Sequence, residues 1–245
     1  MKGFILFLLK ILVAILAIFA IYVLVMTVSA YSIAPHEYTQ DSPYFRFLLY
    51  ISIAMLFFVA RIKIETKGFE KVPKGTRFLL VSNHRSKFDP MAVWLVFKKQ
   101  NIAFISKEEN FHIPWFGRII RKCCCLPIDR KDPGKALETV QKASKLIKND
   151  TVSVGVYPEG TRSLTCELLP FHNAMFKIAK IANAPIVVTT IEGTENICKN
   201  YIRRRTDIKL KVVDVISADE VCAARSTAEI GARVREDMEK SLGMA

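Results

Sequence analysis

Ile11 to Pro35 is a run of 25 residues without a charged side chain. Wound as a helix it rises about 37 Å, enough to cross a hydrocarbon core of ~30 Å with some tilt. No small soluble domain needs such a segment, so the run reads as a membrane helix. Its rival is a secretory signal peptide, because Val28-Ser29-Ala30 resembles a cleavage site. A cleavable apolar core spans only ~7 to 15 residues, and the length decides for the membrane helix. A second charge-free stretch, Phe47 to Ala60, has 14 residues. It would rise about 21 Å, short for a full span. Three placements stay open for it: lying in the interface, re-entering the bilayer, or packing on the rest of the chain. Residues 1–60 are therefore expected to form a membrane anchor, one spanning helix plus a shorter apolar helix, or a two-helix hairpin.

Charge divides the chain at the same place. The net charge is +13 over 245 residues, yet the first sixty hold only Lys2, Lys10 and Arg46 against Glu37 and Asp41. Nearly all the positive charge thus belongs to residues 61–245, expected to be one soluble domain. The connection from Tyr31 to Tyr44 contains no Lys or Arg, so the positive-inside rule places that domain on the cytoplasmic face. A half-apolar chain is neither disordered nor collagen-like. Its basic surface suits anionic lipid, and without a nucleic-acid-binding motif beside the basic residues, nucleic acid is not an expected partner.

After Arg61 short apolar runs alternate with longer helix-like segments, the pattern of an α/β sheet with crossover helices. Strands are expected at Arg61 to Glu65, Phe78 to Ser82, Ile102 to Ser106, Cys123 to Ile128, Thr151 to Tyr157, Pro185 to Ile191 and Ile208 to Val215. Helices are expected at Pro90 to Lys99, Pro133 to Lys148, Phe171 to Ala182 and Thr227 to Leu242, the last opened by Ser226 and Glu229 at capping-box spacing. In open α/β sheets ligands gather at the carboxyl ends of strands.

Two such loops carry unusual residues. Ser82 is followed by Asn83-His84-Arg85-Ser86-Lys87-Phe88-Asp89-Pro90. A His and an Asp five apart sit about 140° apart on a continuous helix and cannot meet there. A bend is needed, and Pro90 at the first helical position, with Asp89 as N-cap, supplies one. Read as structure alone, Asp89 caps a helix and His84 is a polar loop residue. Read as chemistry, Asp89 fixes the imidazole tautomer and the other ring nitrogen serves as general base. The second loop is Tyr157-Pro158-Glu159-Gly160-Thr161-Arg162-Ser163, where Gly160 can take a positive φ and Arg162 offers a planar fork to an anion. A bland surface turn would look similar.

These blocks, with Ser106-Lys107-Glu108, Pro114-Trp115-Phe116-Gly117, Ile128-Asp129-Arg130 and Ala184-Pro185-Ile186-Val187-Val188 in order between and after them, resemble the glycerolipid acyltransferases, specifically the 1-acylglycerol-3-phosphate (lysophosphatidic acid) acyltransferase family. The resemblance runs from about Lys67 to Thr194 and implies a mixed sheet flanked by helices. It implies that His84 is the catalytic base and Asp89 its orienting partner. Arg130 and the turn of Glu159, Gly160, Thr161 and Arg162 would bind the glycerol phosphate acceptor, with Lys107 reaching the same phosphate. The Pro185 block would line the acyl-donor side. Family members often place a Gly where this chain has Ala174, beside His172 and Asn173.

The implied reaction moves an acyl group from a thioester, acyl-CoA or acyl-carrier protein, to the 2-hydroxyl of 1-acylglycerol 3-phosphate, a membrane lysolipid, giving phosphatidic acid. Another acceptor, such as glycerol 3-phosphate or a different lysolipid, would use the same dyad; an inactive membrane-tethered scaffold would use none of it. No cofactor is expected, because a thioester is already activated. The sequence has no G-x-S-x-G elbow, which favours direct transfer over an acyl-serine intermediate. Amides near the start of the Pro90 helix are candidates for the oxyanion site.

Among the remaining features, His36, His112 and His172 have no partners at ligand spacing, so no metal site is expected. Cys123-Cys124-Cys125 lie in an apolar run as buried thiols, with palmitoylation or a reactive thiol as the other reading. Arg203-Arg204-Arg205 with Lys209 and Lys211 form a solvated basic face, or one that meets anionic headgroups or an acidic carrier protein.

Overall fold

The computed structural model describes residues 2–201 and 203–244. The chain opens with α1 (Lys2–Tyr31) and α2 (Pro43–Val59), then alternates: β1 (Ile62–Lys67), β2 (Leu79–Ser82), α3 (Asp89–Val96), β3 (Ala103–Lys107), α4 (Phe116–Lys122), β4 (Leu126–Ile128), α5 (Pro133–Lys148), β5 (Val154–Val156) and α6 (Lys177–Ala182). It closes with β6 (Ile186–Glu192), α7 (Ile197–Asn200), β7 (Thr206–Ile216), α8 (Ala218–Ala223) and α9 (Thr227–Leu242). The strands form one mixed sheet in the order β1-β7-β6-β2-β5-β3-β4. Every neighbouring pair is parallel except β6 with β7. The centre, β2, β5 and β6, is buried along its length, as a parallel sheet covered on both faces must be.

α5 and α9 have the bounds that periodicity predicts. In α5 the buried positions Thr139, Val140, Ala143, Ser144, Leu146 and Ile147 form one stripe, and Asp132 caps the amino end through the amides of Gly134 and Lys135. Half of the expected capping box at α9 is present: Ser226 accepts from Glu229 N–H, while the Glu229 carboxylate accepts from Arg225 N–H and not from Ser226. A reciprocal box does form at Ser217 and Glu220, at the start of α8.

Three expectations fail for local reasons. Cys123 to Cys125 are not strand: they close α4 in a turn with Cys124 at φ 59°, and the strand starts at Leu126. The expected helix from Phe171 begins as a 3-10 turn at Asn173–Phe176 before α6. The Pro90 helix starts one residue earlier than expected, so Phe88 occupies the N-cap position and Asp89 is already helical.

α1 is the described helix long and apolar enough to cross a membrane, and only Met26, Ser29 and Ala30 of it are buried. Its carboxyl third is tied to α2 by Tyr22 to Ser52 at 2.7 Å and Ser29 to Tyr44 at 2.6 Å. α2 packs Phe45, Leu48, Leu49, Ile53 and Phe57 into the main core, and turns Phe47, Ile51, Met55 and Phe58 outward. One face of the second apolar stretch thus packs on the domain, and residue 60 marks a change of composition but not an end of the core. A buried Arg46 holds α2 in place. Its Nε donates to Asp41, its Nη1 to Ile102 O, and its Nη2 to Asn101 O and Cys123 O. A buried guanidinium tolerates desolvation only when its donors are matched in this way.

Candidate active site

β2 lies between β5 and β6, and its carboxyl end delivers the first loop to the middle of the sheet edge. Asn83 fixes the exit: its buried side chain donates to Ile191 O at 3.0 Å and accepts from Ile191 N–H at 2.7 Å, continuing the ladder to β6 after β2 has ended. His84 follows, with its side chain 18% exposed and Nδ1 2.8 Å from Asp89 Oδ2. The loop makes the bend that a helix could not.

Asp89 is fully buried, and a carboxylate so placed needs several donors. Oδ2 accepts from His84 Nδ1 and from the amides of Arg85 and Ser86, both at 2.7 Å. Oδ1 accepts from the Thr194 hydroxyl, supplied by the loop after β6. With an ionised acceptor at Nδ1 the imidazole carries its hydrogen there, which leaves Nε2 as a lone-pair base. The same geometry engages four of the amides near the start of that helix. Amides 85 and 86 serve Asp89, Phe88 N–H donates to Ser86 Oγ, and Asp89 N–H donates to Ser86 O.

The second loop grips His84 by its backbone. Glu159 Oε1 accepts His84 N–H at 2.6 Å, and Ser163 N–H donates to His84 O at 2.8 Å. The other carboxylate oxygen, Oε2, accepts Leu169 N–H at 3.0 Å. Glu159 is 3% exposed; burial pushes its carboxyl above the ordinary range, opposed by those two amides. Gly160, at φ 68°, has the His172 imidazole against it, and a Cβ there would stand 2.7 Å from that ring.

Beneath the imidazole lies a stack. The His84 and Tyr157 rings are 4.2 Å apart at 21°, and Tyr157 and Phe104 are 5.5 Å apart at 6°. Gly155 makes room for it, since a Cβ at that position would be 2.5 Å from the Phe104 ring. The Tyr157 hydroxyl is buried without a partner among the described residues, and burial pushes its phenol well up, helped by the Asp89 charge.

The structure thus brings His84, Asp89 and Glu159 together with Gly160. Thr161, Arg162, Lys107 and Arg130 lie exposed, and among the described residues their side chains have no hydrogen-bond or ion-pair partner. Lys107 ends β3, two strands from β2, and Arg130 follows β4, three strands away; at ~4.8 Å per strand these offsets are about 10 and 14 Å. They share an edge with His84 but do not touch it. Among the described residues no three His, Cys, Asp or Glu side chains cluster as a metal site would need.

The protein-family model described as Acyltransferase matches residues 63–192, which contain both loops and the whole stack. The chain belongs to the acyltransferase family. Among its relatives, a 1-acyl-sn-glycerol-3-phosphate acyltransferase of Cocos nucifera is 30% identical over 168 residues, 68% of this chain and 54% of that protein. A probable 1-acyl-sn-glycerol-3-phosphate acyltransferase of Mycoplasma pneumoniae is 28% identical over 200 residues, covering 77% and 73%. The chain spans about half the length of the coconut relative. The crystal structure of the 1-acyl-sn-glycerophosphate acyltransferase PlsC from Thermotoga maritima shares the fold, with TM-score 0.67 at 24% identity over 81% of this chain and 80% of that one.

Sequence reasoning missed Asn83, Tyr157 and Thr194. Gly155 in a strand otherwise made of Val was the available signal for the stack, because a strand glycine marks a close approach. For Thr194 no local signal exists, since it meets Asp89 across 105 residues.

Proposed function

We propose that this chain transfers an acyl group from an acyl thioester to the 2-hydroxyl of a 1-acylglycerol 3-phosphate, forming phosphatidic acid at a membrane. The observation that carries the reading is the 2.8 Å contact between His84 Nδ1 and a buried, fourfold-solvated Asp89. His84 Nε2 takes the proton from the acceptor hydroxyl as its oxygen attacks the thioester carbonyl carbon. Collapse of the tetrahedral adduct breaks the C–S bond, and the imidazolium returns the proton to the departing thiolate. Asp89 stabilises the imidazolium in between and stays ionised. The relatives' names, 1-acyl-sn-glycerol-3-phosphate acyltransferase, support the acceptor.

Glu159 and the Ser163 amide position the base. Arg162 and Thr161, free on the adjoining turn, take the acceptor phosphate, with Lys107 and Arg130 approaching along the edge. Acyl-CoA or acyl-carrier protein supplies the thioester, and no cofactor enters this scheme. α1 holds the chain in the bilayer with the basic domain on the cytoplasmic face.

The test is a purified full chain given labelled acyl-CoA or acyl-carrier protein and a panel of acceptors: lysophosphatidic acid, glycerol 3-phosphate and a zwitterionic lysolipid. Phosphatidic acid formed from the first acceptor, and lost with His84→Ala, supports the reading. Transfer only to another acceptor, or no transfer, overturns it.

A further inference from the structure

The ring stacked on His84 is itself held from behind. β5 lies between β2 and β3, and Val156 pairs with Val81, so Tyr157 comes alongside Ser82, two residues short of His84. On the other side Phe104 pairs with Gly155 and meets Tyr157 nearly parallel, 5.5 Å away. Trp94 of α3 closes on Phe104 edge-on, at 5.3 Å and 77°, and is fixed in turn by its Nε1, which donates to Ile102 O at 2.8 Å. Three aromatic rings, from α3, β3 and the end of β5, thus back one imidazole.

No hydrogen bond orients the middle ring. The Tyr157 hydroxyl is buried with no partner among the described residues, and burial together with the Asp89 charge keeps the phenol neutral. A buried hydroxyl without a partner costs stability, so what Tyr157 contributes here is its face. That face carries the negative lobe of the aromatic quadrupole. A cation within about 6 Å of a ring centroid is attracted to it, and the imidazole lies over Tyr157 at 4.2 Å and 21°. We propose that Tyr157 is a positioning residue whose ring face supports the imidazolium that His84 becomes during transfer, with Phe104 and Trp94 keeping that face square to it.

Asp89 meets the imidazole at one edge, through Nδ1, and shares its charge with two amides and the Thr194 hydroxyl. Tyr157 is the group against the face. The other charged or titratable groups around the base are Glu159, which takes the His84 N–H, Arg85 next in the loop, Arg162 on the adjoining turn, and His172 against Gly160. A ring that served only as packing would hold His84 equally well with either sign of quadrupole. The inference rests on His84 as the base of the proposed transfer.

The experiment uses the full chain in detergent micelles. A series at one position, Tyr157→Phe with zero, three or five ring fluorines, keeps the volume nearly constant while the face turns from negative to positive. Histidine Cε1–H signals are titrated by NMR, with His84 assigned by its loss in His84→Asn, and kcat for lysophosphatidic acid is followed on the same samples. The His84 midpoint is expected to fall by about one unit along the series, and kcat by roughly 3- to 30-fold. Tyr157→Leu, which has no ring, should lower the midpoint as well. A rise there, from water reaching the imidazolium, overturns the proposal, as does a midpoint that fluorination leaves in place. A wild-type chain that transfers nothing overturns His84 as the base of transfer, and the midpoints still decide whether the ring supports the imidazolium.

Discussion

Glu159→Gln separates a residue that holds the base from one that binds the acceptor. In the native site one carboxylate accepts two amides, His84 N–H at 2.6 Å and Leu169 N–H at 3.0 Å. An amide side chain has one oxygen, so one of those N–H groups would face an NH2 instead. Losing a charge-assisted hydrogen bond costs ~1.5 to 3 kcal/mol, and a buried unsatisfied amide ~1 to 3 kcal/mol. Relief of the carboxylate's burial, visible in its raised pKa, offsets part of this and leaves a net loss of about 2 kcal/mol. For a chain of this size that is a Tm decrease of about 4 to 8 °C. If His84 is the amide released, its ring loses register with the acceptor hydroxyl, and misplacement by about 1 Å costs on the order of 100-fold in rate. The assay is kcat and KM for lysophosphatidic acid in detergent micelles, beside thermal unfolding followed by circular dichroism. A lowered kcat at nearly constant KM, with the lowered Tm, is expected. An unchanged Tm with a raised KM would refute the positioning role and return Glu159 to the acceptor.

Four further outcomes are expected. His84→Ala should lose ~10² to 10⁴ in kcat while the chain stays folded, measured on the same samples; near-normal turnover would remove the dyad. Arg162→Lys and Arg130→Lys should raise the KM for lysophosphatidic acid through loss of fork geometry, the former more because it adjoins His84, and unchanged kinetics in both would cancel the phosphate assignment. Gly155→Ala sets a Cβ against the Phe104 ring and should cost about 1 to 3 kcal/mol by overpacking, read by denaturant unfolding, with activity falling as the stack under His84 shifts. Glu220 is held down at about 2, first by the Ser217 amide and then by the Arg233 hydrogen bond. The stability it adds is present above the ordinary carboxylate pKa and is lost as pH falls below that value toward about 2, so Glu220→Gln should flatten the acid limb of a Tm-against-pH curve.

His84, Asp89 and the turn at Glu159 were legible because proline, glycine and charge interrupt apolar strands there, and loops at strand ends leave such marks. Their spacing could not show which way a carboxylate points. Glu159 looks like a ligand group in sequence, yet its oxygens face the chain's own amides. Asp89 looks like a helix cap, yet it turns back into the loop that precedes it. Cys123 to Cys125 misled because buried turn and buried strand have the same composition, and only a positive φ at Cys124 separates them. α2 was undecidable by length, since its inner and outer faces are both apolar and periodicity vanishes when neither face is polar.

Arg46 has a mechanical consequence. One guanidinium pins α2 to Asn101, Ile102 and Cys123, and Arg118 of α4 adds a second pin at Ile33 O, 2.6 Å away in the segment after α1. A domain on a slack leash sweeps a volume and meets its substrate by chance. With α1 as the proposed anchor, these pins would hold the domain at one height and tilt, and the acceptor would have to rise to a fixed point. Loosening Arg46 would leave every reacting group intact and still cost turnover, because the misalignment would lie between protein and bilayer.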